Sequence, residues 1–181
     1  MISCQNQRVW LPSGFGMTAM AAALWDENAD YDQVADTYFR AAFGPDGALV
    51  RGYLEDLSQK MTPAYFRGET EDVSPEIAGR YREVPKITGK FAAVIRNNLE
   101  KDLPENVEKS WEYLELHRQL SELLAEAAEA RARGERQEAE KRFIKLCRYL
   151  QAHEMEMAAV FDYCLFYSTM HHFFDGSFFA H

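Results

Sequence analysis

Cysteine is scarce in this chain: three residues in 181 (Cys4, Cys147 and Cys164), an odd number. A disulfide framework is therefore not what holds the fold, and the expected setting is a reducing, cytoplasmic one. Basic residues are also in short supply, 20 Lys+Arg against 29 Asp+Glu, for a net charge of −9. That balance argues against nucleic acid or an anionic membrane surface as a partner. No apolar run reaches the roughly 18 residues of a membrane span, and no charged-then-apolar leader stands at the start. Signature motifs are missing as well. There is no HExxH or CxxC spacing for a metal, no GxSxG elbow, no Walker loop and no GxGxxG. Nothing in the chain reads as a β-strand with a partner to pair with.

Helical periodicity is what the chain does have. Between residues 103 and 167, two series step by threes and fours. The first runs Tyr113, Leu116, Leu120, Leu123, Ala127 and Ala130. The second runs Ala139, Phe143, Leu146, Leu150, His153, Met157, Val160, Cys164 and Tyr167. This is the spacing of a coiled-coil-like seam. Gly134, within a polar run from Arg131 to Arg136, marks a tight connection between the two helices. Folding back there sets Ala127 against Phe143, Leu123 against Leu146 and Leu120 against Leu150, small against large as interdigitated layers require. Two rods of about 30 residues, roughly 45 Å long, are the expectation.

Upstream, residues 1–14 read as an extended arm, and residues 15–181 as the helical domain. Phe15 to Trp25 is apolar on every side, which predicts burial on every side. Asp30 or Asp32 caps a helix that Gly44-Pro45 stops, and a third helix covers 46–61. Residues 62–73 are polar and irregular, expected to be mobile or laid over the surface. Ser74-Pro75 opens a short helix through Arg82, and Pro85 opens another to about Lys101. Glu105 is placed to complete a capping box at the start of the first rod. In the tail after Ser168, four phenylalanines are too apolar to dangle; they pack on the bundle or mark a contact surface, including one between copies of the chain. The fold class is all-α, a bundle of about six helices dominated by a long antiparallel helical hairpin.

Chemistry-bearing residues are weakly organised. His171 and His172 are adjacent and so diverge on a helix, His153 falls on the seam as a core histidine, and no metal or cofactor is expected. Cys147 and Cys164 lie in an apolar stripe, where a thiol is inert. No carboxylate pair stands out among 29 acidic residues, so no catalytic residue is assigned. Residues 128–143 resemble a tetratricopeptide helix–turn–helix, but those helices are about half as long and no second copy follows at a 34-residue period.

Two stretches carry a family resemblance. Ile2-Ser3-Cys4-Gln5 with Arg8 and Pro12, then an apolar helix ending Leu24-Trp25-Asp26, are followed by Asp32 to Tyr38-Phe39 and by Phe43-Gly44-Pro45. This pattern resembles the C-terminal part of a domain-of-unknown-function family of glycoside-hydrolase-like proteins, akin to α-glucuronidases and α-N-acetylglucosaminidases. The likeness is clearest over residues 2–57; over the hairpin it is one of shape, and none of its motifs is catalytic. In that family a (β/α)8 barrel precedes a helical domain. The resemblance implies a non-catalytic accessory domain excised from such a protein, with the barrel as its partner. Residues 2–8 would end the last barrel strand. Strand ends of that kind face the substrate, which makes Gln5, Gln7 and Arg8 candidates for sugar contact. Arg8 anchoring the arm to an acidic residue is the competing reading. Beside the accessory domain stand a free-standing helical interaction module and a complete small enzyme on a helical scaffold.

Overall fold

The computed structural model describes residues 10–174, and among them every regular element is a helix, with no strand. The helices are α1 (Phe15–Trp25), α2 (Tyr31–Phe43), α3 (Gly47–Lys60), α4 (Pro63–Phe66), α5 (Pro75–Leu99), α6 (Glu105–Ala132), α7 (Arg136–Ala152), α8 (Glu154–Met157) and α9 (Tyr163–Met170). A 3-10 turn, Gly44–Asp46, joins α2 to α3. The result is an all-α helical bundle.

Its axis is α6, which packs along α5 on one side and α7 on another. Trp111, Leu114, Ala125, Ala127 and Ala128 of α6 are fully buried, as are Phe143, Leu146 and Leu150 of α7. From Gly134, at φ +80, α7 returns beside α6. Arg142 Nη1 donates to Glu126 O at 3.2 Å near the turn, and Tyr149 Oη donates to Leu116 O at 3.2 Å further along.

Local signals fix several ends. The Asp30 carboxylate accepts from Gln33 N at 2.8 Å and caps α2. Ser74 Oγ accepts from Ile77 N at 3.3 Å, with Pro75 in the first turn of α5. Gly44 closes α2 at φ +69, and Gly47 lets α3 approach so closely that a Cβ there would sit 2.3 Å from Phe39 O.

Elsewhere the fold departs from what periodicity predicts. Residues 75–99 form one helix that runs through Pro85, not two helices. Pro85 removes one backbone donor, but Tyr81 and Val84 before it and Thr88 after it are buried. Continuous packing against α6 outweighs the lost bond.

The second rod is shorter than its seam predicts. It ends at Ala152, and His153 turns outward, with Nδ1 3.1 Å from Glu156 Oε2, instead of sitting in the core. A straight rod would have carried the tail beyond the start of α6. By doubling back, the chain places Phe174 against Phe143 (ring centroids 4.7 Å) and Phe173 against Tyr65 (4.9 Å). Burying two such rings is worth about 1.5–3 kcal/mol each, which decides for the turn. Cys164 is exposed as a consequence, while Cys147 is buried.

Other corrections are local. Within 62–73 the short α4 buries Tyr65, whose hydroxyl donates to Asp72 O at 2.7 Å. At the start of α6 the cap is Pro104 with no side-chain bond, so the capping box is not formed. Leu49 of α3 is exposed although it is a large apolar residue. The largest departure is α1: none of its residues is buried, and Trp25 is 95% exposed.

Candidate functional site

Gln5, Gln7 and Arg8, the residues proposed for sugar contact, lie outside the described residues, as do Cys4 and His181. Among the described residues no group of His, Cys, Asp and Glu is arranged to hold a metal ion, and no helix is long and apolar enough to cross a membrane. Three convergences of polar side chains among the described residues bear on a candidate site.

The first lies between α5 and α6. Arg118 holds Glu115 bidentately, Nη2 to Oε1 at 2.7 Å and Nε to Oε2 at 2.8 Å, and reaches Glu122 with Nη1 at 3.0 Å. Thr88 Oγ1 donates to Glu122 Oε1 at 2.9 Å, tying α5 into the network. Burial acts to raise the Glu115 carboxyl, but the bonds from Arg118 and Gln119 outweigh it and hold the group below the usual carboxylate range. Both carboxylates are engaged by one guanidinium, the arrangement of a structural ion-pair network. Next to Arg118 in sequence, His117 is half-buried, with its Nε2 3.4 Å from Ser121 Oγ. Its Nδ1 is buried without a partner, and burial lowers its pKa to about 4. Sequence spacing points to His153 as the core histidine; the more enclosed one is His117, half-buried with its Nδ1 shut away from solvent, which the seam register leaves off the core face.

The second convergence clamps the loop before α5 to the α6–α7 turn. Arg131 Nη2 reaches both oxygens of Asp72 at 3.2 Å, Arg136 approaches Asp72 at 3.4 Å, and Ser74 N donates to Ala132 O at 2.9 Å. The Arg131 guanidinium also lies 4.4 Å from the Phe173 ring centroid. This cluster is an architectural tie between loop, turn and tail.

The third is a cavity of about 450 Å³ where α1, α2 and α3 meet. Phe15, Tyr31, Phe39 and Leu54 supply its apolar wall. The rings touch one another: Phe15 lies 5.4 Å from Tyr31 and 5.2 Å from Phe39. Gly14 N donates to Tyr38 Oη at 2.7 Å and fixes the entry into α1. Glu55, Ser58 and Gln59 of α3 form a polar rim. At its centre Arg51 donates to Asp32 and, at 3.3 and 2.8 Å, to Asp36 and Glu55. Hydrogen bonds to Asp32 and then Glu55 drive the Arg51 pKa further up, so the guanidinium is a fixed charge. Tyr31 remains 58% exposed beside it, its ring centroid 5.8 Å from the guanidinium carbon.

A cavity of this size, with an aromatic wall and a few convergent polar groups, is the form that small-molecule sites take. A larger depression along α7 is lined by Glu126, Glu138, Lys141, Arg142, Lys145 and Arg148 and lacks any aromatic wall. It is a groove between solvated side chains. The α1–α3 cavity is therefore the stronger candidate.

Comparisons with protein-family models, with curated proteins and with solved structures give no match.

Proposed function

We propose that this chain is a non-catalytic helical accessory domain of a glycoside-hydrolase-like, carbohydrate-active protein, stabilising a (β/α)8 barrel or mediating contacts between subunits. One observation carries the reading. Helix α1 has no charged side chain over eleven residues, yet none of them is buried, and Leu24 and Trp25 are 59% and 95% exposed. An all-apolar helix belongs inside a larger body. The sequence resemblance sets a barrel next to that helix. In this reading the protein works in the cytoplasm, where the free thiols of Cys147 and Cys164 persist.

The same exposed helix would serve a free-standing interaction module that engages a separate protein. The encoding DNA separates the two. An open frame continuing upstream of Met1 through about 300 residues of strand–helix alternation is the expected result, and in the joined protein Trp25 becomes inaccessible to aqueous quenchers. A stop codon close upstream, with no barrel-encoding frame, would overturn the accessory-domain reading in favour of the interaction module.

A further inference from the structure

We propose that the cavity between α1, α2 and α3 binds a neutral saccharide, with the Tyr31 ring as the platform for one sugar face and Arg51 as a donor to its hydroxyls. The proposal deepens the carbohydrate-linked reading above and rests on it for the class of parent protein, but the ligand chemistry comes from the cavity itself.

Volume is the first consideration: about 450 Å³ lies within the range of about 300–1,000 Å³ that small-molecule sites occupy. The wall comes next. Tyr31 and the half-buried Phe15, backed by the buried Phe39, present aromatic surface whose ring faces carry partial negative charge, suited to the weakly positive C–H groups on one side of a pyranose. Opposite them the rim offers paired donor and acceptor capacity, Ser58 hydroxyl and Gln59 amide, with the Glu55 carboxylate as an acceptor. A ligand with an apolar face and hydroxyls around its edge satisfies both sides. A purely apolar ligand would leave the rim unpaired, at a cost.

Charge narrows the class. Three carboxylates, Asp32, Asp36 and Glu55, surround one guanidinium. The surplus is negative, so a uronate or phosphate is repelled. Arg51 has five N–H donors, and three are directed at these carboxylates, which leaves two for a neutral acceptor such as a hydroxyl oxygen. The carboxylates hold the guanidinium in place before any ligand arrives, which lowers the ordering cost of binding.

The test uses the full chain, isotopically labelled, titrated with disaccharides of glucose, xylose, mannose and galactose, and separately with glucuronic acid and with choline. At least one neutral disaccharide is expected to bind with millimolar affinity and to shift the amide signals of residues 31, 51 and 55. Tyr31→Ala, which removes an exposed ring, is expected to weaken that binding about tenfold with an unchanged thermal midpoint. Should Tyr31→Ala fail to fold, Gln59→Ala on the opposite rim provides the same readout. No shift with any neutral disaccharide overturns the proposal. So does tighter binding of glucuronic acid or choline, or neutral binding that both variants leave intact. The readouts are separable from the accessory-domain question. Sugar binding in a chain with no upstream barrel would sink only the larger reading, and a barrel-encoding frame with silent titrations would sink only this one.

Discussion

Helices α1 and α6 reverse the simple rule that apolar segments go inside. α1 is nearly all apolar and has no fully buried residue, whereas α6, with seven Glu among its 28 residues, buries twelve. The difference lies in arrangement and in neighbours. α6 has an apolar stripe with helices on both sides to cover it, so its charges can face outward or pair across the boundary, as Arg118 does with Glu115 and Glu122. α1 has no stripe, because every face is alike, and among the described residues its main packing partner is α2. Its N-terminal ring, Phe15, finds Tyr31, Tyr38 and Phe39, whereas Leu24 and Trp25 at its C-terminal end stay exposed. Burial follows from a face having a partner, not from hydrophobicity summed along a segment.

Two tryptophans give the sharpest test of that contrast. Trp111, fully buried and edge-on to Phe43 at 5.3 Å, should cost about 3–5 kcal/mol when replaced by Ala. Trp25→Ala should change stability by less than about 0.5 kcal/mol. Denaturant midpoints measure both, and comparable losses would dissolve the distinction between the two regions.

The next effect belongs to His117. Its pKa in the folded protein, about 4, lies below the 6.5 of the exposed group, so the unfolded chain takes up the proton first. Stability should therefore fall as pH drops from about 6.5 to about 4, by up to about 3 kcal/mol. His117→Leu should flatten that slope, and it also removes the unpaired buried Nδ1. A slope in the variant equal to that of the parent would show that other groups carry the acid sensitivity.

Smaller effects test the ties outside the spine. Asp72→Ala strips one partner from Arg131, whose side chain is only 10% exposed, and should cost about 1–3 kcal/mol. Hydrogen exchange should rise first in the loop joining α4 to α5. Asp30→Ala removes the α2 cap and should cost about 1 kcal/mol, read from the thermal midpoint. If the α2 cap proved worth more than the Asp72 tie, the loop, not the corner around α2, would be the looser part.

Sequence alone reveals the helical class and the local punctuation. Asp30, Gly44, Ser74 and Gly134 act through their own backbone neighbours, so their effect is readable from a few residues. What depends on distant partners is not. Pro85 reads as a boundary because its local penalty is visible while the support of α6 is not. The seam runs unbroken to Tyr167 on paper, and only the competition of Phe173 and Phe174 for Tyr65 and Phe143 shows why the chain turns at His153. The candidate cavity was equally hidden. Its rings come from α1 and α2 and its rim from α3, each ordinary in its own helix, and only Asp32 and Asp36, one turn apart opposite Arg51, leave a trace in the spacing.

The graded exposure of the indoles, 37% at Trp10, 95% at Trp25 and none at Trp111, furnishes an intrinsic optical ruler. Emission from Trp25 should sit at the red end and be extinguished by iodide, and a blue shift there would announce that something has covered α1. Light from Trp111 would stay blue and shielded until the bundle opens. Steady-state fluorescence can thus tell occlusion of the surface from loss of the interior without a single label being attached.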